Sequence, residues 1–291
     1  MDFGLTDEQR ELKAQAREVL SGEPPEWSEL GELGWLGVSV SEELGGAGLS
    51  FGEEALLHEE LGYALYDGPF LATMLALPDL PPEEQRAVAA GNTKWSVEIE
   101  GLVPEWGRID RVLTETGPVE PEGEQLPSID PTRPLGRLSN PSNKLLQGKS
   151  ARALAALACE AVGVAQRALE LAIEHARTRE QFGRPIGVYQ AVSHKLADTY
   201  VETELARSLA YWAAWCVAQD DPQAELAAAA AKSAAGEAAV AACERSIQVH
   251  GGTGFTWEHV LHRFYKRAQW IDGFAGSAAQ QRRVVAAALL D

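Results

Sequence analysis

Two loops in this 291-residue chain place cationic and backbone-donor groups at spacings suited to an anion. The first is "RTREQFGRPIGVYQ", residues 177–190. Its Arg179 lies near the end of a long apolar helix, where a cation suits the helix dipole. Gly183 and Pro185 set the turn, and Phe182 reads as a hydrophobic plug. The second is "QVHGGTGFTWEH", residues 248–259, in which Gly251, Gly252 and Gly254 allow positive φ and close approach. Free N–H groups in such a turn, ahead of a helix capped by Thr256, can hold an anion. Each loop alone reads equally well as a plain helix stop.

A third stretch, "GFAGSAAQQRR" (273–283), is shaped like a site without a reagent. Ser277 and Gln280 fit a capping box opening the last helix. Ala275, two residues before that cap, presents no group that can take a proton. Other chemistry is sparse. There is no G-x-S-x-G, Walker loop or paired zinc-ligand spacing. "LGGAGLSFG" (44–52) lacks the strand–turn–helix setting of a dinucleotide fingerprint. His250, His259 and His262 have no Glu or Cys placed to complete a metal site, so they read as separate histidines and no metal is expected.

The chain as a whole is 45% hydrophobic and 23% charged, as in ordinary globular proteins. A formal net charge of −18 speaks against duplex nucleic acid or an anionic membrane as the main partner. Three separated cysteines in Ala-rich sequence, Cys159, Cys216 and Cys243, read as buried free thiols of a reducing compartment. The charged amphipathic start does not read as a signal peptide, and by inspection no apolar run approaches membrane-spanning length, so a cytoplasmic location is expected.

The elements that must position the loops follow from periodicity. Residues 1–92 read as a helical domain, beginning with a capping box at Thr6 and Gln9, with "GEEALLHEELGYALY" as an amphipathic helix. Residues 93–147 lose the helical period. There "KWSVEIEG", "RIDRVLTET" and "RPLGRL" resemble strands between prolines and glycines, giving a short middle β domain. Residues 148–291 return to long helices with short connections, an antiparallel bundle. The fold class is mainly α with a small β region.

In this order and at these spacings, the motifs resemble the acyl-CoA dehydrogenase family. The resemblance runs through "LGWLGVSVSEELGGAGLSFGEEALLHEELGYAL", "AVGVAQRALELAIEHARTREQFGRPIGVYQAVSHKLAD" and "IQVHGGTGFTWEHVLHRFYKRAQWIDGFAGSAAQQR". It implies a helical N-terminal domain, a middle β domain and a C-terminal four-helix bundle. It also implies FAD and α,β-dehydrogenation of an acyl-CoA thioester: a glutamate takes the α proton while hydride passes to the flavin. By resemblance, Arg179, Glu180, Gln181 and Phe182, with Tyr189 and Gln190, meet the FAD of a neighbouring subunit. Gln248, Val249, His250, Gly251 and Gly252 line its adenosine side, and Ser277 sits at a cofactor edge.

Three departures qualify this. The family's usual base position is Ala275, and the alternative position on the first bundle helix is Ala153. The middle region is about half the family's length, and the T-E-x-x-[GA]-[GS]-S-D-like segment that covers the flavin has no counterpart between Trp95 and Gln147. The resemblance is therefore to the short subunit of the α2β2 acyl-CoA dehydrogenases of actinobacterial steroid catabolism. Such a chain would share FAD with a full-length homologue and act, without a base of its own, on a steroid-derived CoA thioester. Two alternatives stand beside it: a self-sufficient homo-oligomer using Asp272 or the surface-read Glu160 as base, and a structural paralogue without flavin.

Overall fold

A computed structural model describes residues 4–141 and 150–290. Five helices come first: α1 (Asp7–Ser21), α2 (Trp27–Glu32), α3 (Phe51–Ala64), α4 (Phe70–Ala76) and α5 (Pro82–Ala89). The Thr6 hydroxyl accepts from the Gln9 N–H at 3.2 Å and the Gln9 side chain accepts from the Thr6 N–H at 3.1 Å, a complete capping box. α3 is not amphipathic. Glu54, Glu59 and Glu60 are buried along with its leucines, because α1 covers one side and the bundle the other. α4 is apolar at nearly every position and fully buried, so it carries no period that would mark it as a helix in sequence.

Six short strands follow: β1 (Trp95–Val97), β2 (Val103–Pro104), β3 (Arg111–Thr114), β4 (Gly117–Val119), β5 (Gly123–Leu126) and β6 (Leu135–Leu138). They form two three-stranded sheets, ordered β1-β3-β4 and β2-β6-β5, with β1 parallel to β3 and the other pairs antiparallel. The strand-like stretches of the sequence hold β1, β3 and β6. β2, β4 and β5 are too short or too polar to show an alternation. The boundary expected at 147/148 lies outside the described residues.

The C-terminal helices are α6 (Ser150–Thr178), α7 (Gln190–Ala218), α8 (Ala224–His250), α9 (Leu261–Gly273) and α10 (Ala278–Leu290), with a two-residue hairpin, β7 (Glu180–Gln181) and β8 (Arg184–Pro185), between α6 and α7. α6 and α8 pack along their length through buried alanines, among them Ala158, Ala161 and Ala165 against Ala231, Ala235 and Ala239. α8, with the turn that follows it, is long and apolar enough to cross a membrane by length and composition, contrary to the reading by inspection; 67% of its apolar window is buried in the protein.

Where α3 crosses α6, glycine replaces alanine. A Cβ on Gly163 would stand 1.9 Å from the Glu59 carbonyl oxygen, and one on Gly62 would stand 2.2 Å from that of Glu160. The backbones touch, which only paired glycines permit.

That crossing sets Glu160 over a buried ionic cluster. The sequence reading placed Glu160 on a helix surface, yet it is 1% exposed. Its Oε1 accepts from Arg133 Nη2 at 2.7 Å and Arg267 Nη1 at 2.6 Å. Arg267 Nε also donates to Asp130 at 2.6 Å, and Arg133 Nη1 to Glu105 at 2.8 Å and the Gly68 carbonyl at 3.1 Å. One cluster thus ties α6 and α9 to the β region and to the α3–α4 connection. Burial works against the Glu160 charge, but the two guanidiniums prevail and hold its pKa down at about 2. Lys13 and Arg17 pin α1 in the same manner, donating to Glu59 at 2.7 Å and Glu60 at 2.6 Å.

Gly163→Ala should force α3 and α6 apart and lower unfolding free energy in urea by about 3 kcal/mol. A loss below about 1 kcal/mol would show that the crossing has slack. Arg267→Met takes the cation from the buried Asp130 and leaves Glu160 only Arg133, and should cost about 3–5 kcal/mol. Because the folded pKa of Glu160 lies below its unfolded value of 4.5, its contribution is complete above that value. Wild-type stability should fall as pH drops from about 4.5 toward 2, and Glu160→Gln should flatten that part of the curve.

Candidate functional site

The chemistry-bearing loops of the sequence gather at two places, one at each end of α6 and α8. At the C-terminal ends, the β7–β8 hairpin turns through Phe182 (φ 55°) and Gly183 (φ 78°). Arg179, Glu180, Gln181 and Phe182 are all exposed. Phe182 is no plug: it stands 92% in solvent, edge-on to Tyr189 at 6.3 Å. The Tyr189 hydroxyl donates to the Gln181 carbonyl at 3.1 Å and the Ile186 N–H to the Arg179 carbonyl at 2.8 Å, so the hairpin is held against the start of α7 at Gln190.

The second loop lies beside it. Val249 is buried with Ala172 and Ala176 of α6, against Ile186, Val192 and Leu196. The His250 ring stacks on His175 at 4.3 Å, and His259 is tilted against it at 4.4 Å. Histidines that looked separate in sequence therefore form a column, since helix ends and a turn converge there. Burial lowers the pKa of His175 and of His259, and the neighbouring His250 lowers both further. Among the described residues no group of His, Cys, Asp and Glu is arranged to hold a metal ion. Gly251 ends α8 with φ 61°, and a Cβ on Gly251 or Gly252 would meet nothing within 4 Å. Gln248 and Gly252 are exposed, as are Phe255 and Trp257. Thr256 caps no helix: α9 starts at Leu261 after Val260, with a turn between.

At the other ends of α6 and α8 lies a cavity of about 290 Å³. Ala153 and Ala275, far apart in sequence, both line it, with Leu75, Val97, Ile99 and Leu154. Its floor loop is tightly held. Ala275 (φ 58°) and Gly276 (φ 92°) both take left-handed conformations. The Gln281 amide donates to the Ala275 carbonyl at 2.8 Å, and the Lys232 ammonium to the carbonyls of Gly276 at 3.3 Å and Asp272 at 3.2 Å. Burial depresses the Lys232 pKa to about 8 while Asp272 partly restores it. The cap of α10 is built by halves. The Ser277 N–H donates to the Gln280 side chain at 2.8 Å, and Asp272 accepts from the Ala278 N–H at 3.4 Å.

Asp272 and Glu160, the two substitute bases weighed from sequence, are therefore occupied elsewhere, and neither lines the cavity. The carboxylates that do line it, Glu100 and Glu225, were not singled out in sequence. Glu100 has φ 52°, a strained conformation for a side chain with a Cβ. A local signal existed in the "EIEGL" turn, but nothing local tells that it faces residues near 153 and 275.

Comparison with known proteins agrees with this layout. Residues 6–86 match the profile of the acyl-CoA dehydrogenase N-terminal domain and residues 151–290 that of the C-terminal domain. The acyl-CoA dehydrogenase IpdE2 of Mycobacterium tuberculosis is 36% identical over 252 residues, covering 81% of this chain and 77% of that protein. FadE34 of the same organism is 36% identical over 296 residues, 90% of this chain but 42% of that longer protein. Among solved structures, a variant of the Tcur3481–Tcur3483 steroid ACAD superposes with a TM-score of 0.85 at 26% identity, covering 97% of this chain and 98% of that one. The ChsE4–ChsE5 complex of Mycobacterium tuberculosis gives a TM-score of 0.89 at 24% identity, covering 100% of this chain and 99% of that one, a likeness of fold.

Lys232→Met removes two hydrogen bonds, each worth about 1 kcal/mol, from the loop under the cavity. Amide exchange at 273–277 should quicken by about tenfold or more, with far less change in α6. Unchanged exchange would mean that the loop keeps its shape without Lys232.

Proposed function

This chain belongs to the acyl-CoA dehydrogenase family, and from that premise we propose that it is the short subunit of a heteromeric acyl-CoA dehydrogenase, completing the FAD site of a full-length partner while supplying no base itself. The observation that carries this is a separation. Ala153 and His175 lie 22 residues apart on one helix, which is roughly 33 Å at 1.5 Å per residue. The anion-suited loops stand at one end of α6 and the emptied cavity at the other. An extended dinucleotide is shorter than that distance, so the loops serve a cofactor outside this chain's own cavity.

The residues of the loop face suit such a cofactor. Arg179 is exposed and makes no ion pair among the described residues, leaving it available to a pyrophosphate. Gly251 and Gly252 have open space before them, so their backbone can be approached closely. Phe182 offers a ring edge, and Gln181 and Gln248 offer amides on the same face. FAD, when bound, supplies the hydride acceptor; the residues of this chain bind and orient its phosphate and adenosine end. At the cavity, Ala275 and Ala153 have no proton-accepting atom, so the α proton of the thioester is taken by the partner's glutamate.

An α2β2 assembly and a steroid-derived CoA thioester are the composition and substrate we propose. They are supported by the likeness, at 26% identity, to one chain of the Tcur3481–Tcur3483 steroid ACAD. The 93–147 stretch is a shortened middle domain in this reading, between a helical domain at 1–92 and the bundle at 148–291. A self-sufficient enzyme with Glu100 as base is the second reading, favoured only by the presence of that carboxylate on the cavity wall.

A visible spectrum of the purified chain, alone and co-expressed with a full-length homologue encoded beside it, separates the two. Flavin should appear only in the complex, at about one FAD per heterodimer. Arg179→Ala removes a charge-assisted contact worth about 1.5–3 kcal/mol and should weaken flavin retention by about tenfold or more. A yellow and active chain on its own would overturn the proposal.

A further inference from the structure

Three imidazoles meet between the two anion-suited loops and link them. His175 lies one helical turn before Arg179, whose N–H donates to the His175 carbonyl at 2.8 Å. His250 immediately precedes Gly251, and the rings of His175 and His250 stack at 4.3 Å. The stack therefore joins the cation of one loop to the glycine turn of the other. His259 adds a third ring, tilted against His250 at 4.4 Å.

Hydrogen bonds sort these rings by their capacity for a further proton. His250 Nδ1 lies 2.8 Å from the Ser246 carbonyl oxygen, which only accepts, so Nδ1 carries the hydrogen. That ring is buried. His259 Nδ1 accepts from the Leu261 N–H at 3.2 Å, so a proton there would break the bond. His175 is half-buried, and its ring makes no hydrogen bond among the described residues. A second proton on His175 displaces nothing.

The groups that face His175 come from several elements. Burial lowers its pKa first, followed by His250 at the end of α8, Arg179 at the foot of the hairpin and His259 in the turn before α9. All three are basic, and His262 of α9 acts in the same sense on His259. The start of α7 brings the apolar Val192 and Leu196 to this corner. Glu174 and Arg177 on α6, Glu180 on the hairpin and Glu258 in the turn are exposed. A diphosphate docked on Arg179 reverses the sign of the charge that His175 meets there, and an opposite charge nearby favours the imidazolium.

We infer that His175 takes up a proton when the diphosphate of a dinucleotide docks on Arg179 and the Gly251–Gly252 turn, so that this subunit holds the cofactor more tightly as pH falls. This rests on the completing-subunit reading and adds to it a residue and a proton. The proton comes from solvent and returns there on release. Docking raises the His175 pKa from its starting point below 6.5. The added affinity is therefore complete below the free-state pKa and lost as pH rises through the bound-state one. A diphosphate diester keeps both its charges across that range, so the titrating group belongs to the protein.

The test follows FAD release from the complex with the full-length partner, read as recovered flavin fluorescence. Release should slow by about three- to tenfold between about pH 8 and about pH 6, and His175→Gln should flatten that slope. An equal slope in wild type and His175→Gln overturns the inference, as does a loss of retention in the variant that is uniform with pH, the mark of a packing role. A second arm uses the full chain alone with ADP-ribose, which carries the adenosine diphosphate end of the cofactor without its flavin. The His175 imidazole proton resonance, assigned by its loss in His175→Gln, should move its titration midpoint up by about one pH unit in saturating ADP-ribose. A midpoint that stays in place overturns the inference. Flavin held by the complex and lost with Arg179→Ala, beside an unaltered slope in His175→Gln, sinks this inference and leaves the completing-subunit reading standing. A complex that never holds flavin sinks both, and shows it before any titration.

Discussion

A single carboxylate, Glu160, held between the guanidiniums of Arg133 and Arg267, is the constraint on which the layout of this protein depends. Charges this deeply buried persist only where geometry satisfies them from several sides. Here that geometry takes groups from α6, α9, the β region and the α3–α4 connection. The short sheets are too small to stand by themselves. They keep their place because Asp130 and Arg133 are drawn into the helical body, and β1 thereby becomes a wall of the cavity.

Around that clasp the packing is a matter of small residues. Gly62 and Gly163 let α3 and α6 touch backbone to backbone, and alanines let α6 and α8 lie close along several turns. Close packing fixes the helices' axial positions as well as their spacing. The helix ends are then fixed too, and with them the two groups of loops. Rigid helices separate the cavity lined by Ala153 and Ala275 from an exposed, cation-bearing face, so one chain presents two unlike surfaces that cannot collapse onto each other.

These surfaces have opposite character. The loop face is open: Arg179, Phe182 and Gly252 project into solvent with few internal partners. The cavity is closed in its hydrogen bonding: Gln281, Gln280, Lys232 and Arg152 are all committed to neighbours in the protein. A face whose polar groups are left over is suited to be completed from outside. The strained backbone at Ala275 persists because the Gln281 and Lys232 hydrogen bonds over-determine it.

Much of this was legible in the sequence. Helical stretches and the cap at Ser277 placed the five C-terminal helices, the Thr6–Gln9 pattern placed the first cap, and the motifs around Arg179 and Gly251 were sufficient to identify the family resemblance, because all of these are local. What was misread lacked a local signal. α4 is apolar all round, so periodicity is silent there, while α3, read as amphipathic, is a helix buried on both sides. Phe182 looked like core because hydrophobicity alone does not report exposure. His250 and His259 looked separate because their meeting with His175 depends on where three chain segments end. Glu160 looked like surface because its partners lie 27 and 107 residues away. The sequence by itself determined the longer elements, the caps and the family resemblance. Only the tertiary structure decided that Ala153 and Ala275 share one cavity, that Glu100 and Glu225 stand on its wall, and that the loops lie at the far end of the same helices. Contacts across long stretches of chain arise from packing whole helices, and no short window of residues encodes them.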